Sequence, residues 1–372
     1  MKICILSMQN VPNFGSLLQS YSLKKILENQ GHQVDFIDIK RNEEDDALLS
    51  DARLNYASEC ENGTGTLSKF KKLDRYFLNR IKIKYKSQKQ DELFDAFRRE
   101  FLGIKKDNSE VRYDACVIGS DEVFNCLVST AWGFTSQLFG NVDQAEHVIT
   151  YAASCGATTY DKLPPAVRTK IHEAFENVEA FSVRDENTKH FVQALSDKEV
   201  QTHLDPVVVG NFDEEIAKCN LTGKLPKHYC IVYSYYNRIH QPDEIKAILD
   251  FCKAHKSKPI AIGAPQKWIS NYPVLSPFEV LAAFKNADFV ITDTFHGTIF
   301  AAKYSARFAA MIRPSNRNKL LDLIKKLKLE SHLIESMSDL ENAFAAEIDT
   351  NKVGVISEEQ RLSTDAYLSE TL

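Results

Sequence analysis

The chain has 372 residues, of which 44% are hydrophobic, and this is enough apolar material for two ordinary α/β domains. Its formal net charge of -5 and pI near 6.1 argue against a general nucleic-acid-binding protein. No apolar run could cross a bilayer, the start lacks a signal-peptide pattern, and eight cysteines are scattered without CxxC pairs, so we expect a cytoplasmic protein with reduced thiols and no metal site.

Apolar runs of strand length alternate with helical segments along the first half of the chain. ICILSM comes first and leads into a helix predicted over Ser16–Asn29, after which QVDFIDI, DACVIGS, HVITYAAS and AFSVR follow as further strands. Strands rich in Val and Ile and separated by helices indicate a parallel sheet that is covered on both faces. We therefore predict a Rossmann-like domain over residues 1–205.

An insertion from about residue 41 to residue 112 interrupts this pattern. Inside it, Lys69–Gln90 carries nine basic residues and one acidic residue. Its apolar residues recur at helical spacing: Phe70, Leu73, Phe77 and Ile81. This predicts a basic amphipathic helix. One interpretation is a solvated helix that lies on the domain; the other is a surface that contacts anionic lipid headgroups or a lipid pyrophosphate, at the inner face of the membrane.

A second α/β series follows LDPVVVGNF, whose Asp205–Pro206 pair we interpret as the hinge between two halves. HYCIVYSY, PIAIGAP, DFVITD and ARFAAMI are its predicted strands, which gives a second Rossmann-like domain over residues 206–345. One helix start is readable, because Ser276–Glu279 has the serine cap, N1 proline and N3 glutamate of a capping box. A last helix, about Ser357 to Leu368 within residues 346–372, is predicted to pack back on the first domain.

Polar residues follow several of these strands, and ligands of open parallel sheets bind beyond the carboxyl ends of the strands. After the first strand come Asn13, Gly15 and Ser16, where glycine allows a ligand to approach the backbone closely. A plain cap and turn explains these residues equally well, since their pattern is neither a P-loop nor a dinucleotide fingerprint.

Two further strand ends in the first half carry hydroxyl and carboxylate groups. In VIGSDEVFN, Ser120 and Asp121 follow the strand, and a carboxylate there can orient a hydroxyl or act as a base. Capping of the next helix by either residue is the alternative. In YAASCG, Ser154 closes another strand and is a candidate to contact a substrate.

Three arginines are candidates to bind an anion. Arg184 in FSVRDENT ends a strand, and its guanidinium matches the planar oxygens of phosphate or carboxylate. A solvated or ion-paired arginine is the alternative. Arg313 and Arg317 in IRPSNRNKL, further along the chain, are two more candidates for oxyanion binding.

The stretch DFVITDTFHGTIFA brings an imidazole to a junction between a strand and a helix. Asp293 ends the strand, Thr294 follows it, and His296–Gly297 opens the helix. A histidine there can exchange protons near neutral pH, as a general acid or base does. A lone histidine is more often a structural residue, but the polar neighbours at a predicted crevice favour a functional role.

Taken in order, NVPNFGSLLQ, VIGSDEVFN, YAASCG, FSVRDENT, LDPVV and VITDTFHGTIFA resemble the blocks of the polysaccharide pyruvyl transferase family. They span Met1 to about Leu329, and the ordered set is specific although no single block is. The resemblance implies two Rossmann-like domains in a GT-B-like arrangement, with the active site in the interdomain cleft. It also implies transfer of pyruvate from phosphoenolpyruvate, as a ketal, to a sugar of a bacterial capsular polysaccharide, exopolysaccharide or cell-wall polymer.

By position, His296 matches the proposed catalytic histidine of the family, and Arg184 and the later arginines fall where donor phosphate and carboxylate are expected. We expect Asp121 or Asp293 to orient His296, the first domain to take the acceptor and the second the donor. Phosphoenolpyruvate is then the donor substrate, with no other cofactor and no metal. The chain departs from the family at Glu122–Asn125, where glutamine and tryptophan are common.

The acceptor expected from the family is a galactose that receives a 4,6-ketal, on an undecaprenyl-diphosphate-linked precursor. Two alternatives remain at this point. One is a GT-B glycosyltransferase that uses a nucleotide sugar, and the other is a non-catalytic polysaccharide-assembly protein that keeps the fold. Retention of the histidine and the arginines argues against the second alternative.

Overall fold

A computed structural model describes residues 1–50, 52–53, 73–104, 108–128 and 130–372, with the backbone alone at 73–83 and 350. The first four residues of the predicted basic helix, 69–72, lie outside the described residues. The same holds for the side chains on which its amphipathic pattern depends: Phe70, Leu73, Phe77 and Ile81.

The first half of the chain forms a six-stranded parallel sheet in the order β2-β1-β3-β4-β5-β6. Its strands are β1 (Lys2–Leu6), β2 (Gln33–Phe36), β3 (Tyr113–Asp121), β4 (Ala145–Ala153), β5 (Phe181–Val183) and β6 (Val200–Thr202). Central strands such as β3 are buried over most of their length, which explains their continuous apolar runs. Ser120 and Asp121 belong to the end of β3, whereas the sequence predicted them just after it.

The second half forms a five-stranded parallel sheet in the order β11-β10-β9-β7-β8. Its strands are β7 (Tyr229–Ser234), β8 (Lys258–Gly263), β9 (Phe289–Thr292), β10 (Phe308–Met311) and β11 (Leu333–Ile334). The prediction of two Rossmann-like domains with parallel sheets is therefore confirmed. In both sheets the strands are joined by crossover segments, as parallel pairing requires.

Helices cover both sheets. They are α1 (Phe14–Asn29), α2 (Glu43–Ala47), α3 (Leu73–Phe97), α4 (Pro165–Phe175), α5 (Glu186–Gln193), α6 (Pro206–Val209), α7 (Asp213–Ala217), α8 (Pro242–Ala254), α9 (Pro277–Lys285), α10 (Phe295–Tyr304), α11 (Arg317–Leu327), α12 (Leu340–Ala345) and α13 (Thr350–Thr371). A short π-helix, Arg98–Leu102, follows directly on α3. None of the helices in the described part of the chain combines the length and the apolar character that a bilayer crossing requires.

The predicted helix ends can be compared with the caps that form. The capping box of Ser276 and Glu279 is present, with both reciprocal hydrogen bonds made. Helix α1 begins two residues earlier than predicted, because the Asn13 side chain accepts the Ser16 N–H at 2.7 Å and caps the helix there. Helix α13 begins seven residues before the predicted start.

The two sheets are joined through aromatic and backbone contacts. Tyr21 of α1 and Phe278 of α9 meet edge to face with ring centroids 5.2 Å apart, and Phe97 of α3 lies 5.1 Å from the same ring. Gln90 of α3 donates to the Leu275 carbonyl at 2.7 Å. Helix α13 returns to the first sheet, where the Tyr367 hydroxyl donates to the Thr150 carbonyl at 2.8 Å.

The segment between the sheets, which the sequence marks as a hinge, forms the short helix α6. Asp205 caps it by accepting the Val207 N–H at 3.0 Å. The Ser22 hydroxyl of α1 donates to the Pro206 carbonyl at 2.6 Å, which holds the segment against the first domain. This packing places the Asp205 carboxylate at the base of the cleft between the two sheets.

Candidate active site

Two adjoining cavities of about 170 Å³ each lie between the two domains. The first takes Asn13, Ser16, Asp121 and Arg184 from the first domain, and His296 and Lys319 from the second. The second shares Glu122, Tyr235, Phe295 and Lys319 with it and adds Arg238 and Thr294. A larger cavity of about 740 Å³, on the first domain beside Lys40 and Lys170, contains none of the predicted residues.

His296 lies in the first turn of α10, behind the Thr294 cap, whose hydroxyl accepts the Gly297 N–H at 3.0 Å. The imidazole packs directly on Gly15, where an added Cβ would fall 2.2 Å from Nδ1. A side chain at position 15 would therefore displace the ring. Nε2 is buried without a hydrogen-bond partner and lies 3.5 Å from Asp205 Oδ2, within ion-pair range.

Asp205 is the carboxylate beside this imidazole, whereas the sequence suggested Asp121 or Asp293 for that place. Its side chain is fully buried, and Oδ2 accepts hydrogen bonds from Arg184 Nη1 at 2.9 Å and Ser120 Oγ at 3.2 Å. Burial by itself raises the pKa of Asp205, but the neighbouring His296 and Arg184 outweigh it and lower the pKa to about 2. Asp205 is therefore a fixed negative charge that joins the imidazole to the guanidinium.

Arg184 is only 3% exposed and sits at the centre of the site. Its Nη2 lies 3.6 Å from Asp121 Oδ1, and its guanidinium stacks 4.2 Å above the ring centroid of Phe295. Burial alone lowers the pKa of Arg184, but Asp121 and Asp205 raise it above its usual value. Its Nε is buried without a partner. The first cavity therefore contains a buried, permanent cation with one unused donor.

Asp121 faces the cleft from the end of β3. Its Oδ2 accepts the Ser16 hydroxyl at 2.7 Å, which links it to the first turn of α1. Asn13, Ser16 and Asp121 thus form one side of the first cavity, as strand-end reasoning predicts for residues at the carboxyl edge of a parallel sheet.

An ion pair between Lys319 of α11 and Glu122 crosses the cleft and lines both cavities. Asn125 also donates to Glu122, at 2.6 Å. Burial raises the pKa of Glu122, but Lys319 more than compensates and lowers it to about 2, so both partners stay charged. The sequence patterns predict neither residue as a site residue, although Glu122 begins the segment that departs from the family pattern.

Asp293, predicted as a catalytic residue, and Arg313, predicted to bind substrate, lie behind the cleft and pair with each other. Asp293 is completely buried, and its Oδ2 accepts from Arg313 Nε at 3.2 Å. Arg313 also pairs with Glu244, and Arg238 Nε lies 3.6 Å from Asp293. Neither Asp293 nor Arg313 lines the two cavities.

The remaining predicted residues take supporting or unrelated positions. Arg317, predicted as an anion ligand, has a side chain that is 53% exposed and pairs with Glu335 outside the cleft. Ser154 is buried and donates to Asp185 at 2.7 Å. Ser120 holds Asp205, and Gly297 packs on Thr292 and Tyr233 inside the second domain. These three do not line the cavities.

Some of the missed residues left a signal in the sequence. Arg238 follows β7 by four residues, so the rule for strand ends applied to it. Asp205 directly precedes a proline and three valines, which is the pattern of a helix cap with proline at N1. Lys319 left no such signal, because its place in the cleft depends on how α11 packs against the first domain.

Among residues 1–50, 52–53, 84–104, 108–128 and 130–372, no group of three or more histidine, cysteine, aspartate or glutamate side chains is arranged to hold a metal ion. The acidic residues of the site, Asp121, Glu122 and Asp205, each contact a cationic side chain instead.

Two α/β domains thus enclose basic, acidic and imidazole side chains in one cleft, which is the kind of place where open α/β sheets bind polar ligands. The sequence profile of the polysaccharide pyruvyl transferase family matches residues 13–315, which is most of the chain. The chain belongs to this family of enzymes. The match includes His296, Arg184 and Asp205 but ends before Lys319.

Solved structures of low sequence identity also match. UDP-GlcNAc 2-epimerase from Methanocaldococcus jannaschii is 11% identical, with a TM-score of 0.49 over 99% of this chain and 100% of that one. The glycosyltransferase SsfS6 from Streptomyces sp. SF2575 is 10% identical, with a TM-score of 0.44 over 98% of this chain and 96% of that one. Among curated proteins no match was found.

Proposed function

We propose that this enzyme transfers the pyruvate unit of phosphoenolpyruvate to two hydroxyls of one sugar, forming a cyclic ketal and releasing phosphate. The observation that carries the proposal is the convergence of Arg184, Lys319 and His296, from two domains, on one cavity. A donor with a phosphate and a carboxylate needs such a cationic pocket, and its transfer needs a proton-exchanging group beside it.

The donor is proposed to lie between Arg184 and the Lys319–Glu122 pair. Arg184 supplies a planar, permanent cation, while Lys319 supplies a compact charge from the opposite domain. Arg238 adds a third cation in the second cavity. The carboxylates Asp121, Glu122 and Asp205 pair with Arg184 and Lys319 and hold these cations in place.

The chemistry assigned to His296 is proton transfer. A sugar hydroxyl attacks C2 of the donor while C3 gains a proton, the C2–O bond to phosphate breaks, and the second hydroxyl closes the ring on C2. The two hydroxyls lose two protons in all, of which one ends on C3 and one leaves with phosphate. Asp205 Oδ2, which lies 3.5 Å from Nε2, fixes the orientation of the imidazole for these transfers.

The acceptor sugar is proposed to enter over the apolar side of the first cavity. Met8, Val11 and Trp132 line this side, and Tyr235, whose surface is 56% exposed, faces them from the second domain. Aromatic rings of this kind can pack against the C–H face of a pyranose. Asp121, on the floor of the cavity, would then orient a hydroxyl.

At the finer level, we propose a galactose that receives a 4,6-ketal on a capsular or exopolysaccharide precursor. An undecaprenyl-diphosphate carrier would bring the acceptor to the inner face of the membrane, where the basic segment Lys69–Gln90 supplies positive charge. We therefore propose that the enzyme is cytoplasmic and associates peripherally with the membrane. Flotation with anionic liposomes, with and without charge reversal in this segment, measures the association.

Phosphate release from phosphoenolpyruvate, screened over free and lipid-linked glycosides, tests the function. We expect release only with an acceptor, together with a pyruvylated product that gains the mass of pyruvate less one water. Parallel incubations with UDP- and GDP-sugars test glycosyl transfer, and turnover with these donors alone would replace the proposal. We expect a chelator to leave the rate unchanged; loss of activity that magnesium restores would contradict a cation-independent reaction.

A further inference from the structure

A second contact joins α10, which carries His296, to the connector that carries Asp205. The connector includes the four-residue helix α6, and Asp205 caps its first turn. At the other end, the carbonyls of Val207, Val208 and Gly210 need hydrogen-bond donors from outside the short helix. How these carbonyls are satisfied determines what holds the far end of the connector.

Lys303 meets this requirement. Its ammonium donates to the Val207 and Val208 carbonyls at 2.8 Å each and also to the Gly210 carbonyl. Three N–H groups thus serve three carbonyls at the end of one helical turn, where the helix dipole also favours a cation. All three N–H groups of the ammonium are therefore engaged, whereas a single surface ion pair engages only one.

Lys303 and His296 lie seven residues apart on α10. Seven residues correspond to almost two full turns, so the two side chains leave the same face of the helix, about 10 Å apart along its axis. One face of α10 therefore contacts the connector at two points: His296 faces Asp205 at one end, and Lys303 holds the carbonyls at the other. Two separated contacts fix both the sliding and the rotation of one helix relative to the other segment.

We propose that Lys303 is a positioning residue of the active site, which sets the distance between His296 and Asp205 by anchoring the connector to α10. The proposal rests on the proposed function for its kinetic consequence but not for its structural one. Without Lys303, Arg184 and Ser120 would still hold Asp205, and Ser22 of α1 would still hold Pro206. Between α10 and the connector, however, the His296–Asp205 contact at 3.5 Å would lose the anchor at the far end of α6. The imidazole could then shift relative to Asp205, although every catalytic side chain remains.

The key variant is Lys303→Met, which keeps the length of the side chain and removes all three donors. Lys285→Met is the matched control. Lys285 and Lys303 both line a further cavity beside α6, but Lys285 lies exposed at the end of α9. Burial lowers the pKa of Lys303 to about 7, so the comparison is made near pH 6, where the ammonium form predominates in the wild-type protein.

The first measurement is the imidazole ¹⁵N chemical shifts of His296, assigned with a His296→Gln variant. We expect Lys303→Met to move these shifts in the same direction as Asp205→Asn does, and Lys285→Met to leave them unchanged. Because this readout needs no substrate, it tests the proposal even if phosphoenolpyruvate proves to be the wrong donor. His296 shifts that stay at their wild-type values in folded Lys303→Met would overturn it.

The second measurement is steady-state kinetics. For Lys303→Met we expect kcat to fall roughly 10- to 100-fold while KM for phosphoenolpyruvate changes less than about threefold, since anion binding depends on Arg184 and Lys319. Lys303→Arg, which keeps a cation and several donors, should recover most of kcat. A purely structural lysine would instead lower the thermal midpoint and leave kcat of the folded protein near wild type. If Lys303→Met fails to fold, Lys303→Gln carries the same two measurements with the same expected signs.

Discussion

Each domain carries an aspartate and a histidine near the ends of its strands, and in each domain one of these two faces the cleft and the other is buried. In the first domain Asp121 lines the cavity, whereas His203, just after β6, is 2% exposed. In the second domain the chemistry is reversed: His296 lines the cavity, and Asp293, just after β9, is fully buried. A strand-end position therefore makes a residue a candidate but does not decide its role.

What separates the two classes is the element that covers them. The Nδ1 atom of His203 is hydrogen-bonded to the Ser182 hydroxyl at 2.9 Å. The ring centroid of His203 lies 4.8 Å from that of Tyr367, which belongs to helix α13. Asp293 is enclosed by Arg313 and Arg238, and its own carbonyl accepts from Asn316 at 2.6 Å. Asp121 and His296 have no such cover, because the opposite domain stands across an open cavity from them.

The largest expected effect concerns the cleft-facing histidine. Replacing His296 with Gln should lower kcat by about 10³-fold or more, because no other imidazole lines the two cavities in the described part of the chain. Circular dichroism and the thermal midpoint should stay near wild type. The exposed His240→Gln is the control, and a His296 variant with kcat within tenfold of wild type would remove the imidazole from the mechanism.

The two aspartates should respond in opposite ways. Asp293→Asn leaves Arg313 and Arg238 without their buried countercharge and should lower the free energy of unfolding by about 3–5 kcal/mol, as loss of one partner of a buried ion pair does. Asp121→Asn should leave stability nearly intact and lower kcat/KM by about 100-fold. Urea denaturation and steady-state kinetics of both variants measure this contrast. An Asp293 variant of normal stability but low activity would show that Asp293, and not only Asp121, takes part in the reaction.

The buried histidine predicts a pH dependence of stability. Burial lowers the pKa of His203 to about 4, from 6.5 in the unfolded chain, so between these values the unfolded state binds more protons. His203 therefore stabilises the fold fully above about pH 6.5, and this contribution is lost as pH falls towards 4, by about 3 kcal/mol in total. Urea titrations at several pH values measure this loss, and His203→Gln should flatten the acidic part of the curve. An unchanged curve would show that His203 does not titrate in this way.

The smallest expected effect separates two cations on the same helix. Lys319→Met should raise KM for phosphoenolpyruvate by about 10- to 30-fold, since it removes a charge that lines both cavities. Arg317→Met, two residues earlier on α11, should change KM by less than about twofold, because its side chain points out of the cleft towards Glu335. Equal effects from the two variants would mean that Lys319 acts through general electrostatics rather than through contact.

Agreement between sequence and structure is best where local chemistry decides the outcome. The parallel strands, the Asn13 and Ser276 caps and the alternation of strand and helix follow from periodicity and capping, which depend on residues close together in the chain. Asp185 likewise caps α5, as its position after Arg184 suggests, by accepting the Thr188 N–H at 2.9 Å. For the same reason the positions of the strand ends are predicted correctly. Four residues that these positions point to line the first cavity: Asn13, Asp121, Arg184 and His296.

The sequence by itself determined the two-domain α/β class, the family and the residues that can reach the carboxyl edges of the sheets. Tertiary structure alone decided which of those residues face the cleft, and it brought in Asp205, Glu122 and Lys319. The physical reason is that burial and pairing depend on contacts between segments far apart in sequence. Asp205 meets His296 across 91 positions of the chain, and Glu122 meets Lys319 across 197.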